Sequence, residues 1–268
     1  MYRRDVHAHL PTARHAWLYA LPCVHLPRSV VCHGDRYEHV RTFKHDFFAA
    51  TGLYRGPQGL CVLKLGRFNP ILGVPMAWVG RFLRWQEERA YADLGELPGL
   101  PRYVGRVGTT GFLHTFVPGR VLQKGDRVSD SFFDQLAALL RSMHERGVAY
   151  VDLNKPQNIL LGDDGRPYLI DFQISLRCPR PSPWLPWRYV LRWVWSLFCD
   201  ADGYHLLKHK RRLRPDLLTE PERDAAGGVG FWIQAHRLIA RPLTQLRRRL
   251  LTRLSRSETV DVAGSAAK

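Results

Sequence analysis

The stretch VDLNKPQNILLGDDGRPYLIDFQIS, residues 151 to 175, gathers Asp152, Asn158 and Asp171 around one short hairpin. Carboxylate and amide oxygens at close quarters suit a hard cation, and a carboxylate beside such a cation can accept a proton. The apolar runs Ile159-Leu160-Leu161 and Tyr168-Leu169-Ile170 flank Asp163-Asp164-Gly165, a turn signal because glycine accepts a positive φ without steric penalty. Asp152 and Asn158 precede the first strand and Asp171 follows the second, so the turn draws three oxygen-bearing side chains to one edge. Upstream, Lys64 closes the apolar run Leu60-Cys61-Val62-Leu63. Glu87 falls in line with Leu83, Ala90, Tyr91 and Leu94 on one face of an expected helix. Each has a plain reading by itself: a solvated lysine at a strand edge, and a charge at the margin of a buried face. Glu88 next door leaves the choice of carboxylate open.

These side chains need a frame. Residues 1 to about 30 carry His7, His9, His15 and His25 among prolines and read as an irregular arm, without the HxxxH or cysteine spacing of a helical metal site. From 37 to 65, apolar and aromatic residues punctuated by Gly52, Gly56, Pro57 and Gly59 predict three short antiparallel strands, the third bearing Lys64. Residues 75 to 94 predict a helix, Leu97-Pro98-Gly99-Leu100-Pro101 breaks it, and 103 to 107 and 111 to 117 read as two further strands. Pro118-Gly119 reads as a hinge. Past Ser129 or Asp130 as a cap, Phe133, Leu136, Ala137, Leu140, Met143 and His144 recur at helical spacing until Gly147. That is a core helix, with His144 in a packing or helix-dipole role rather than a ligand's.

The chain has 268 residues, and its 45% hydrophobic content suffices for a core. Its formal charge of +16 admits phosphates, anionic lipids or nucleic acid as partners. The five cysteines form no CxxC pair, which argues against a disulfide framework or zinc site and for a reducing cytoplasm. The N-terminus lacks a signal-peptide pattern, and no apolar run approaches the roughly 20 residues that cross a bilayer. Between Arg177 and Arg256 stand 17 Lys and Arg against six Asp and Glu. Around Trp184, Trp187, Trp193 and Trp195 only Arg188, Arg192 and Ser196 mark a polar sector, so this helix is expected to be buried or, as the second choice, sunk in a membrane surface. The basic runs 208 to 214 and 247 to 249 are solvated faces or sites for anionic headgroups. No nucleic-acid-binding module accompanies the charge, so nucleic acid is not the expected partner.

In order and spacing the chemical residues resemble the protein-kinase-like superfamily over residues 37 to 175. Lys64 looks like the lysine of VAIK, Glu87 like its partner on the small-lobe helix, Val151-Asp152-Leu153 through Asn158 like the catalytic loop HRDLxxxN, and Asp171-Phe172-Gln173 like DFG. The resemblance implies an α+β, bilobal fold with a five-stranded antiparallel N-lobe over 31–117 and a mainly helical C-lobe over 118–256. An arm over 1–30 and a disordered tail over 257–268 would flank them. It also implies ATP and Mg2+, with Asn158 and Asp171 as metal ligands, Lys64 and Glu87 at the nucleotide phosphates, and Asp152 as the group that orients the acceptor hydroxyl. Asp202 aligns loosely with the aspartate that anchors a helix in kinases.

The departures also carry information. Six positions separate Asp152 from Asn158 where the family has five, and Lys155 stands one place later than the loop lysine; it is expected to reach the transferring phosphate. Tyr150-Val151 replaces His-Arg, which removes the arginine that would meet an activation-loop phosphate. No GxGxxG lies between 37 and 65, so phosphate cover falls to Lys44, Thr51 and main-chain amides of the turn there. Gln173 replaces the DFG glycine, and no APE follows. These features move the resemblance toward the lipopolysaccharide (Kdo or heptose) kinases, and imply a sugar of a lipid-linked glycan as acceptor. An atypical, RIO-like serine/threonine protein kinase is the alternative, and a non-catalytic module binding lipid or nucleic acid a third reading. A cytoplasmic monomer, peripheral on the inner membrane, is the expected setting.

Overall fold

A computed structural model describes residues 19–227 apart from 24, 71–73 and 181. Of the expected N-terminal arm, His7, His9 and His15 lie outside the described residues, as do the basic run 247 to 249 and the tail 257–268. The chain divides into one compact unit through Leu218 and a second from Thr219, of which the described part is a helix, Glu220–Gly227.

The first unit opens with a six-stranded antiparallel sheet in the order β1-β2-β3-β4-β6-β5: β1 Ser29–Cys32, β2 Asp35–His45, β3 Ala49–Gly56, β4 Gly59–Gly66, β5 Tyr103–Val107 and β6 Gly111–Thr115. Five strands were expected, and the sixth is β1. It pairs with β2 through a two-residue turn in which His33 (φ 52°) and Gly34 (φ 90°) both take the left-handed region, as a type I′ hairpin requires. The end of the supposed arm is thus part of the sheet, and Ala20, Leu21 and Leu26 are buried with it. Lys64 accordingly sits on the fourth strand, not the third.

Helix α1 (Ala77–Leu94) lies against β4. Gly80 permits this contact, since a Cβ there would stand 2.2 Å from the Arg67 carbonyl oxygen. The buried face of α1 is Gly80, Glu87, Ala90, Tyr91 and Leu94.

The expected hinge is instead the start of a strand. β7 (Gly119–Val121) pairs with β9 (Ile159–Gly162), which pairs with β10 (Pro167–Leu169), so the segment leaving the first sheet is hydrogen-bonded to the Asp152–Asp171 hairpin. Helix α2 (Phe132–Glu145) buries Phe132, Phe133, Leu136, Leu139, Leu140 and Met143, each contributing about 1.5–3 kcal/mol over an exposed position. It begins after Ser131 with no side-chain cap; Asp130 turns instead to Arg214, at 2.7 Å. Two short strands, β8 (Val148–Ala149) and β11 (Leu176–Arg177), pair across the loop ends, and α3 (Trp187–Leu213) closes the unit.

Burial of the tryptophan-rich start of α3 does not occur among the described residues. Trp184 is 87% exposed, and Trp187, Tyr189, Val190 and Trp193 are about half exposed. The helix meets α2 and β8 through its later turns, where Asp202 and His209 are buried and Leu206 and Leu213 pack on the core. A helix apolar nearly all round therefore shows most of its first three turns to solvent.

Candidate active site

The core that runs from α1 to α2 sets the site's geometry. Phe172 is fully buried with its ring 5.2 Å from that of Tyr91 on α1 and 5.5 Å from that of Tyr150. The preceding residue, Asp171, is thereby fixed at the edge of the cleft with φ 68°.

Lys64 joins the two lobes. Its Nζ donates to Glu87 Oε1 at 2.8 Å and to Asp171 Oδ1 at 2.9 Å, and Glu87 Oε1 also accepts from the Phe172 N–H at 3.2 Å. The choice between adjacent carboxylates is thus made by packing. Glu87 is on the buried face, whereas Glu88 faces β5 and is bound by Arg84, Arg106 and Tyr103. Burial works against the Lys64 charge, but Asp171 and Glu87 outweigh it and hold the ammonium well above its ordinary range. Burial pushes Glu87 up to about 7, with Lys64 limiting the rise. For Asp171 burial acts upward too, yet Lys64, the Gln173 N–H and Lys155 prevail and keep the carboxyl below its ordinary range.

Across the cleft, Asp152 Oδ2 accepts from Lys155 Nζ at 2.7 Å and from Asn158 Nδ2 at 2.8 Å. The residue inserted between Asp152 and Asn158 is absorbed by a 3-10 turn, Pro156–Asn158, and Lys155 folds back onto the carboxylate through it. The loop's entry is strained: Val151, β-branched, sits at φ 71°. Asp202, fully buried on α3, holds it there, accepting from the N–H groups of Tyr150 and Val151, each at 2.8 Å, and from His144 Nε2 at 3.1 Å. His144 is thus a partner of this anchor.

Over the cleft, the turn between β2 and β3 holds itself. Asp46 Oδ1 accepts from the N–H groups of Phe48 (2.9 Å) and Ala49 (3.0 Å), and its Oδ2 pairs with Lys44 at 2.5 Å. Lys44 and those amides, expected at the phosphates, are engaged with Asp46. Thr51 lies in register between Lys44 and Lys64. Arg67, unremarked in the sequence, is fully buried and donates to the Phe47 carbonyl at 2.7 Å while its guanidinium lies 4.0 Å from the Phe47 ring centroid, so it fixes the turn from below. No periodicity or motif marks Arg67 in the sequence.

Among the described residues no group of three or more His, Cys, Asp and Glu could hold a metal ion by itself. The donor set suits a cation that draws its remaining ligands from phosphate and water, as Mg2+ does: Asp171 keeps its second oxygen, and Asn158 spends its amide nitrogen on Asp152.

Behind Lys64, His114 is pushed down to about 4, first by burial. An unfolded histidine titrates near 6.5, so between these values the unfolded chain binds the extra proton and His114 costs stability as pH falls. We expect the unfolding free energy of wild type minus that of His114→Phe to decline by up to about 1.4 kcal/mol per pH unit from 6.5 down toward 4. Urea titrations of both proteins over that range would show it, and parallel curves would refute it.

The fold is kinase-like. Two structures of the Rio2 kinase from Chaetomium thermophilum are similar to the chain at 17% identity. One, an ADP/Mg2+-phosphoaspartate complex, has a TM-score of 0.50 over 72% of this chain and 62% of that one; the other, 0.51 over 72% and 64%. Among curated proteins, a serine/threonine-protein kinase of Arabidopsis thaliana is 33% identical over 111 residues, which is 37% of this chain and 22% of that protein. Serine/threonine-protein kinase ULK3 of Homo sapiens is 40% identical over 83 residues, 30% of this chain and 16% of that protein. The chain thus aligns with about a fifth of these curated relatives' length and under two thirds of the Rio2 chains. No family model matches it.

Proposed function

We propose that the protein is an ATP- and Mg2+-dependent phosphotransferase that passes the γ-phosphate to a serine or threonine hydroxyl of a protein, as an atypical, RIO-like kinase. One observation carries the reading: Lys64 is bonded at once to Glu87 and Asp171, while Asp152 and Lys155 are paired across the cleft. In this reading Lys64 holds nucleotide phosphates and Glu87 orients it. Asp171 and Asn158 hold the Mg2+, which neutralises phosphate charge. Asp152 orients the acceptor hydroxyl and takes its proton, and Lys155 meets the moving phosphoryl group. The serine/threonine kinases among the relatives support a protein acceptor over a lipopolysaccharide sugar.

The path after the site fits an atypical enzyme. From β11 the chain reaches α3 within Cys178 to Pro186, leaving no room for a long activation segment or peptide platform. A lipid-linked sugar remains the second reading, favoured by the exposed Trp184, Trp187 and Trp193 beside Arg188 and Arg192, which suit an anionic membrane surface. No described helix is long and apolar enough to cross a membrane. We place the protein in the cytoplasm, where ATP is plentiful. The test supplies γ-labelled ATP and Mg2+ together with a generic protein substrate and a bacterial membrane extract. Label in protein supports the first reading, label in glycolipid alone replaces it with the second, and nucleotide binding without transfer would leave a non-catalytic module.

A further inference from the structure

The catalytic loop has a basic neighbour to which no role has yet been given. Two cavities, of about 300 and 420 Å3, lie between the loop after β7 and the last turns of α3 and share Arg212 and Leu213 in their walls; the smaller also reaches the catalytic loop. The first is walled by Pro156 and Gln157 of the catalytic loop and by Lys124; the second adds Arg127.

The wall of α3 is fixed to the loop that carries Asp152. Lys208 Nζ donates to Asn154 Oδ1 at 2.8 Å, and His209 Nε2 lies 2.7 Å from the Leu153 carbonyl oxygen. The opposite wall is fixed by Arg214, which donates to the Val128 carbonyl at 2.9 Å.

The charges are unbalanced. Of the acids nearby, Asp126 pairs with Arg120, and Asp130 and Asp216 share the single charge of Arg214. Lys124, Arg127 and Arg212 make no hydrogen bond or ion pair among the described residues, and all three are exposed. Three cations without an ion-pair partner exceed the one surplus carboxylate at Arg214, so the concave surface carries a net positive potential, and Pro156 and Gln157 of the loop that bears Asp152 form part of its wall.

We propose that these cavities are the acceptor subsite and that they take the carboxylates of an acidic peptide segment next to the hydroxyl to be phosphorylated. This rests on the phosphotransfer reading, which it deepens by naming the substrate's charge. Arg212 and Lys124 meet the acidic side chains, and the ties from Lys208 and His209 hold those contacts in register with Asp152. Arg212 is a specificity residue and takes no part in moving the phosphoryl group.

The test uses the full-length protein with serine peptides flanked by acidic, neutral or basic residues, read by equilibrium binding and by transfer from labelled ATP. The acidic peptide is expected to bind and react best, with a preference that fades as salt rises. Arg212→Ala and Lys124→Ala should each raise its KM about fivefold, with nucleotide affinity held. Equal use of all three peptides, or an unchanged KM in both variants, would overturn the subsite. So would labelling of an anionic sugar with no peptide bound. Arg212-dependent binding of the acidic peptide without any transfer would instead uphold the subsite and sink the phosphotransfer reading.

Discussion

Asp152→Ala is expected to lower turnover by about 100- to 10,000-fold, the range that a positioned general base contributes, while nucleotide affinity stays near that of the wild type. The carboxylate's two bonds run to Lys155 and Asn158, so its removal releases those two side chains but leaves the Lys64–Glu87–Asp171 group, which carries the nucleotide phosphates and the cation's carboxylate, with all its contacts. Asp171→Ala should behave otherwise, with transfer lost and Mg2+-dependent nucleotide binding weakened, since that variant removes a cation oxygen and one of the two partners of Lys64. Single-turnover transfer and equilibrium nucleotide binding separate the cases. Retention of more than about a tenth of wild-type turnover by Asp152→Ala would remove the base from the proposal.

The second large effect concerns stability. Asp202→Ala leaves the amides of Tyr150 and Val151 and the ring of His144 without their acceptor in a buried place. At about 1–3 kcal/mol for each unsatisfied buried group, partly relieved by water, we expect a net loss of about 3 kcal/mol. That is a large share of the roughly 5–15 kcal/mol that holds a domain together. Urea unfolding measures it. Turnover should fall as well, because the strained Val151 is then free to relax and carry Asp152 with it. A loss below about 1 kcal/mol would mean that other contacts hold the loop entry.

The site was more legible in the sequence than its surroundings. Lys64, Glu87, Asp152, Asn158 and Asp171 could be placed because motif order and helical phase are local properties, and the line from Glu87 to Ala90, Tyr91 and Leu94 is the buried face of α1. Glu88 could be set aside only when Arg84, Arg106 and Tyr103 were seen to hold it, which is a matter of tertiary contact. The same holds for Gly119, a chain break by composition that the distant Gly162 turns into a strand partner. β1 could have been read from Cys32-His33-Gly34-Asp35, a hairpin turn between two short runs. Residues 187 to 199 of α3 could not be assigned, since an all-round apolar helix carries no directional signal and its exposure depends on where α2 and β8 stop.

Lys64 has one charge and two carboxylates to share it, and this gives the cleft a property that neither lobe has separately. Phosphates arriving at Lys64 must compete with Asp171, and the oxygen so released is left for an incoming cation. Under the proposed function, nucleotide and divalent ion would therefore be heterotropic ligands, each raising the other's affinity through a single exchange of counter-ions. Without them, the lysine itself latches the upper sheet to the hairpin below.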